Sequence, residues 1–149
     1  MAIEISPQKY SGSVRPMAFG SGERAFTVGG DTAFPFFTFE GKMPNAPKIG
    51  IQVLDFTPDD WAEACAEPYK DVLNDPVAWA RKAQDEYGAD FIQLWLKSTD
   101  PNGLNRSAAD AAETAKAVAD AIDVPLLVWG CANAQKDAEV LSKVAEVCN

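Results

Sequence analysis

Three times along the chain a short apolar run gives way to a longer stretch in which apolar residues return every three or four positions. The runs are "KIGIQVLD", "DFIQLWL" and "VPLLVWG", beginning near Ile49, Phe91 and Leu126. Each has strand length, and each following stretch has the length and period of an amphipathic helix. In "NDPVAWARKAQDEYG", Asp75 is a natural N-cap, Pro76 fits the first turn and Gly88 suits the left-handed position after the last. Val77, Ala80, Ala83 and Tyr87 recur on one face of that helix. "RSAADAAETAKAVADAID" reads as a second helix capped by Ser107, with Ala112, Ala115, Ala119 and Ile122 inward. "ANAQKDAEVLSKVAEVCN" reads as a third, with Val140, Leu141, Val144 and Cys148 inward. Near-continuous apolar strands separated by helices predict a parallel sheet.

The front of the chain follows a different pattern. Residues 1–22 read as an irregular arm rich in Ser, Gly and Pro. "RAFTV" and "AFPFFTF" then flank Gly29-Gly30-Asp31, predicting a β-hairpin over residues 25–39 with Pro35 on an edge strand. The βα units start at residue 48. The predicted fold class is therefore α/β: a partial TIM-type (β/α) barrel, with an N-terminal β-hairpin followed by three βα units. A closed (β/α)8 barrel takes eight units and about 250 residues. Three parallel strands leave open edges, so residues 23–149 read as the N-terminal portion of a larger barrel or a piece completed by a partner. Phe34, Phe36, Phe37 and Phe39 are candidates to seal the bottom of that barrel, with a partner-binding patch as the alternative. In the long connection from Asp55 to Asn74, Thr57 and Pro58 predict the start of a short helix. Trp61 and Tyr69 are either partner anchors or pins for that helix.

Composition narrows the chemistry. The net charge of −9 argues against nucleic-acid partners and against an anionic membrane surface. No apolar run approaches the ~20 residues of a membrane span, and the N-terminus lacks a signal-peptide pattern; the cytoplasm is the expected location. The chain contains no histidine, so it has no imidazole to offer as metal ligand or general base. Its three cysteines, Cys65, Cys131 and Cys148, are far apart and form no C-x-x-C pair. Neither a disulfide framework, a zinc site nor an iron–sulfur cluster is expected in this chain.

Three segments, "TVGGDTAFPFFTFEGKMPNAP", "YKDVLNDPVAWARKAQDEYGADFIQL" and "VPLLVWGCANAQKDAEVLSKVAE", together resemble the small subunit of the corrinoid iron–sulfur protein. The delta subunit of the acetyl-CoA decarbonylase/synthase complex belongs to the same family. The resemblance runs from about Phe26 to the end. It implies a TIM-type barrel paired with a large subunit that carries the [4Fe–4S] cluster and the corrinoid-binding domain, the corrinoid (cobalamin) being shared between the two. It further implies a cobalt that takes a methyl group from methyltetrahydrofolate or a methyltetrahydropterin and passes it to acetyl-CoA synthase in the reductive acetyl-CoA (Wood–Ljungdahl) pathway of anaerobes. A methyltransferase and acetyl-CoA synthase would be transient partners. Where the family turn after the third strand reads G-C-G-N, this chain has Gly130-Cys131-Ala132-Asn133.

In a βα barrel the chemistry sits at the C-terminal ends of the strands. Here those ends bring forward Asp55, then Lys97, Ser98 and Thr99, then Gly130, Cys131 and Asn133 as candidate cofactor-binding residues. No catalytic side chain is expected, because the cofactor carries the hard step. Asp55 and Lys97 either form an ion pair or meet corrinoid side amides. Asn133 is a helix cap or a ligand contact. Cys131 is a small apolar residue or a nucleophile. Gln52 and Gln93, mid-strand, are expected to hydrogen-bond each other. Two other functions compete: a pterin-dependent methyltransferase resting on Asp55 and Asn133, and a non-catalytic α/β scaffold that docks partners.

Overall fold

The computed structural model describes residues 4–148. The chain divides into two compact units, Met1–Lys48 and Ile49–Asn149.

In the first unit, β1 (Met17–Phe19) pairs antiparallel with β2 (Phe26–Val28). The register sets Phe19 opposite Phe26, and their rings stack at 5.7 Å. This corrects the expected hairpin over residues 25–39: β2 turns back on the preceding arm, not on the phenylalanine run. Gly29 and Gly30 do adopt positive φ, as a tight turn requires. Their turn carries the chain alongside Val14, whose N–H donates to Asp31 O at 2.8 Å and whose carbonyl accepts from Gly30 N at 3.0 Å. Beyond it, Thr32 N–H donates to Lys42 O, and Lys42 N–H to Thr32 Oγ1, both at 2.9 Å, closing the neck of a loop. The phenylalanines lie inside that loop as successive turns, with Phe37 N–H donating to Phe34 O and Glu40 N–H to Phe37 O. Pro35 removes a ladder donor and Phe36 sits at φ 68°, so no strand forms. The rings face outward, and Phe36 is 94% exposed.

In the second unit, β3 (Gly50–Leu54), β4 (Phe91–Trp95) and β5 (Leu126–Trp129) form a parallel sheet in sequential order. The helices are α1 (Glu63–Ala66), α2 (Pro76–Asp85), α3 (Ala108–Ala121) and α4 (Ala134–Val147). Parallel strands in sequential order, joined by right-handed crossovers, place their helices on one face of the sheet. Burial follows that geometry. Val53, Ile92 and Leu94, in register on one face, are fully buried under the helices. The opposite face carries Gln52, Leu54, Phe91, Gln93, Trp95, Leu127 and Trp129, of which only Leu54 is buried. The parallel sheet agrees with expectation, but its second face is mostly uncovered and no barrel closes among the described residues. Gln52 and Gln93 stand side by side in register without a hydrogen bond between them.

Local signals placed the helix ends. Asp75 Oδ1 accepts from Val77 N and Ala78 N, Ser107 Oγ from Asp110 N, and Asn133 Oδ1 from Lys136 N. Gly88 takes φ 65° after α2. The buried faces differ in detail. Trp79, not Tyr87, is the large buried residue of α2, and Val118 joins Ala112, Ala115 and Ile122 inside α3. Leu141 of α4 stays 36% exposed. Thr57 and Pro58 start no helix, since α1 begins only at Glu63 with Ala62 at its cap. Trp61 and Tyr69 pack against Trp79 at 5.5 and 5.4 Å between ring centroids, pinning the long connection to the core.

Candidate functional site

The backbone ladder runs past the ends of the strands. Asp55 N–H donates to Trp95 O at 3.3 Å and Leu96 N–H to Trp129 O at 2.8 Å. Residues 55–56, 95–99 and 129–133 are thereby brought to one rim.

On the β3–β4 side, Asp55 is 3% exposed. One carboxylate oxygen accepts from Ser98 N at 3.0 Å and the other from Ser98 Oγ in a very short bond. Arg106 reaches Asp55 O with Nη1 at 3.3 Å, while its own N–H donates to Ser98 O at 3.0 Å. Burial pushes the Asp55 carboxyl above the usual aspartate range, against the opposing pull of the Ser98 hydrogen bonds and the Arg106 charge. Asp55 and Lys97 do not form an ion pair. Lys97 Nζ lies instead 5.4 Å from the Trp95 ring centroid and 5.9 Å from that of Phe56, in range for cation–π attraction. Thr99 is buried, its Oγ1 donating to Leu96 O at 2.7 Å. Thus Asp55, Ser98 and Thr99 are bound up in holding the rim, and of the β4 candidates Lys97 alone keeps an uncommitted polar group. Trp95 Nε1 is buried with no hydrogen-bond partner.

On the β5 side, Asn133 caps α4. Cys131 is half-buried, its N–H and Sγ both donating to Asp137 Oδ1, at 2.8 and 3.2 Å. Ala132 N–H donates to Asp137 Oδ2 at 3.0 Å, and Ala132 holds φ 69°. The glycine of the family turn is thus explained by backbone conformation, and alanine here carries strain. Gly130 is buried, and a Cβ on it would fall 2.3 Å from Asp137 Oδ1. Trp129, on the uncovered face, is 54% exposed.

The structure therefore brings the seven sequence candidates to one rim but gives most of them structural work. It adds three that sequence reading missed. Trp95 was legible from alternation, opposite in facing to Leu94. Asp137 lies four residues past the Asn133 cap, where a carboxylate reaches back over the turn. Arg106 had no local signal, since a loop returns it to a carbonyl 51 residues earlier. Two clefts lie away from this rim. One, of about 500 Å³, is bounded by Tyr10, Val14, Asp31, Phe34 and Met43 within the first unit; the other, of about 420 Å³, runs along Ala109, Lys116 and Lys143 between α3 and α4. Among the described residues no cluster of His, Cys, Asp or Glu could hold a metal ion, and no helix is long and apolar enough to cross a membrane.

The family model for the CO dehydrogenase/acetyl-CoA synthase delta subunit matches residues 16–149. The chain belongs to this family. It is 38% identical to the acetyl-CoA decarbonylase/synthase complex subunit delta of Archaeoglobus fulgidus, an alignment covering 97% of this chain and 33% of the relative. Against subunit delta 1 of Methanosarcina thermophila the identity is 41%, over 86% of this chain and 29% of the relative. Against subunit delta of Methanothermobacter thermautotrophicus it is 36%, over 97% and 38%. The chain spans about a third of the length of these delta subunits.

Proposed function

We propose that this chain supplies the opening portion of a TIM-type barrel in the small (delta) subunit of a corrinoid iron–sulfur methyl carrier. In this reading the carrier takes a methyl group from methyltetrahydrofolate or a methyltetrahydropterin and passes it to acetyl-CoA synthase, in the cytoplasm of an anaerobe using the reductive acetyl-CoA pathway. Its stable partner is the large subunit bearing the corrinoid domain and the [4Fe–4S] cluster. A methyltransferase and acetyl-CoA synthase are transient ones. The observation that carries the reading is a sequentially ordered parallel sheet, buried along one face and mostly open on the other, in a chain of the delta-subunit family. Such a sheet is the arc from which a barrel is built, with the uncovered face inward.

The rim suits an amide-fringed macrocycle. The Trp95 indole N–H is buried without an acceptor, and Lys97 beside it has no carboxylate partner among the described residues. A side-amide carbonyl satisfies both kinds of donor. Lys97, Trp95, Trp129 and the turn at residues 130–133 are the groups that would hold the corrinoid. When bound, it supplies a cobalt centre able to accept and release a methyl group. The chain's own part is to present an apolar, prestructured rim that excludes water. A pterin methyltransferase is less well supported, because Asp55 and Asn133, on which it rested, are engaged within the protein.

The test is co-expression with a corrinoid-bearing large subunit of the complex. A 1:1 complex with a cobalt–corrin absorption spectrum is expected. A chain that elutes alone, without the spectrum, overturns the proposal.

A further inference from the structure

We infer that Asp137 is the positioning residue that sets the shape of the β5 rim, an inference that rests on the reading of that rim as the corrinoid-facing edge. One carboxylate accepts from two consecutive amides, Cys131 N and Ala132 N, at 2.8 and 3.0 Å, and from the Cys131 thiol at 3.2 Å. Both amides precede the Asn133 cap, so helix α4 itself has no carbonyl for them. Asp137 is tied back in turn, its N–H donating to Asn133 O at 2.7 Å. The carboxylate thus joins the first turn of α4 to the end of β5 and holds Ala132 at its positive φ.

Gly130 gives independent support. Its φ is not in the left-handed region, so backbone freedom is not why glycine stands there. The reason is contact: a Cβ would meet Asp137 Oδ1 at 2.3 Å and Cγ at 2.4 Å. A side chain at position 130 would therefore push the Asp137 carboxylate off the two amides it holds. The two residues form one device, and Cys131 is held within it as a donor to the carboxylate.

Three readouts test this. In a double-mutant cycle, Gly130→Ala lowers the melting temperature of the native chain but is nearly silent in an Asp137→Ala background; equal effects in both backgrounds overturn the device. In site-resolved alkylation by iodoacetamide, Asp137→Ala speeds modification of Cys131 several-fold and leaves Cys65 and Cys148 unchanged. No rise at Cys131, or an equal rise at all three, overturns it. In the co-expressed complex, the milder Asp137→Asn lowers corrinoid affinity about tenfold, as loss of a supporting shell does at metal sites, while the large subunit stays bound. Unchanged affinity reduces Asp137 to a structural role and overturns the inference. Should the native chain itself bind no corrinoid, the proposed function fails, while the first two readouts still decide whether Asp137 and Gly130 form the device.

Discussion

Aromatic side chains meet opposite fates in the two compact units. In the first, Phe34, Phe36, Phe37 and Phe39 stand out from a loop, Phe36 almost wholly exposed. In the second, Trp79 is fully buried and gathers Trp61 and Tyr69 around it. The phenylalanine run is the more apolar segment, yet it is the one that stays outside. Hydrophobicity alone does not bury a side chain; the backbone must present it on one face. Pro35 and the left-handed Phe36 break the run into turns, so its rings gather only in pairs, Phe37 with Phe39 and Phe34 with Tyr10, and build no core. Trp79 sits on a helix with Ala80 and Ala83, whose small size lets the helix approach the sheet closely.

This contrast can be broken or sharpened by substitution. The largest effect is expected for Trp79→Ala, which removes the centre of the aromatic cluster and costs about 3–5 kcal/mol in urea unfolding; a loss no greater than that of a surface change would erase the difference between the units. Next comes Asp75→Ala, which strips two hydrogen bonds from the start of the helix carrying Trp79 and costs about 1 kcal/mol.

A smaller effect is expected from Asp55→Asn, and it depends on pH. Because burial raises the Asp55 carboxyl above its ordinary 3.8, the folded state favours the protonated form. Its stabilising contribution is whole below that ordinary value and is lost as pH rises through the raised one. Asparagine imitates the protonated acid, its oxygen still accepting from Ser98 N and its amide donating to Ser98 Oγ. Thermal melts across the acidic range should show the variant gaining on the native chain as pH increases. A variant that instead loses ground to the native chain as pH rises would refute the assignment.

Smaller still is Ala132→Gly, which relieves the positive φ and stabilises by less than about 1 kcal/mol, since glycine also loosens the unfolded chain. Phe36→Ala, at the exposed end of the comparison, should fall within about 0.5 kcal/mol of the native chain. A loss several times larger would mean that the ring is covered in solution.

What the amino-acid sequence determined by itself was whatever is written in a few neighbouring residues. The Asp75, Ser107 and Asn133 caps, the left-handed Gly88 and the strand starts at Phe91 and Leu126 all depend on contacts within about one helical turn or on a simple alternation, and each was legible. The Gly29-Gly30 turn was legible too, but not its partner, because a turn fixes a change of direction and not which strand lies across from it. Only the tertiary structure paired β2 with Met17–Phe19, joined Asp55 to Ser98 rather than to Lys97, and returned Arg106 to a carbonyl far upstream. It also left one face of the sheet mostly uncovered. These outcomes compare the desolvation of whole groups between alternative neighbours distant in sequence, and no local pattern encodes that balance.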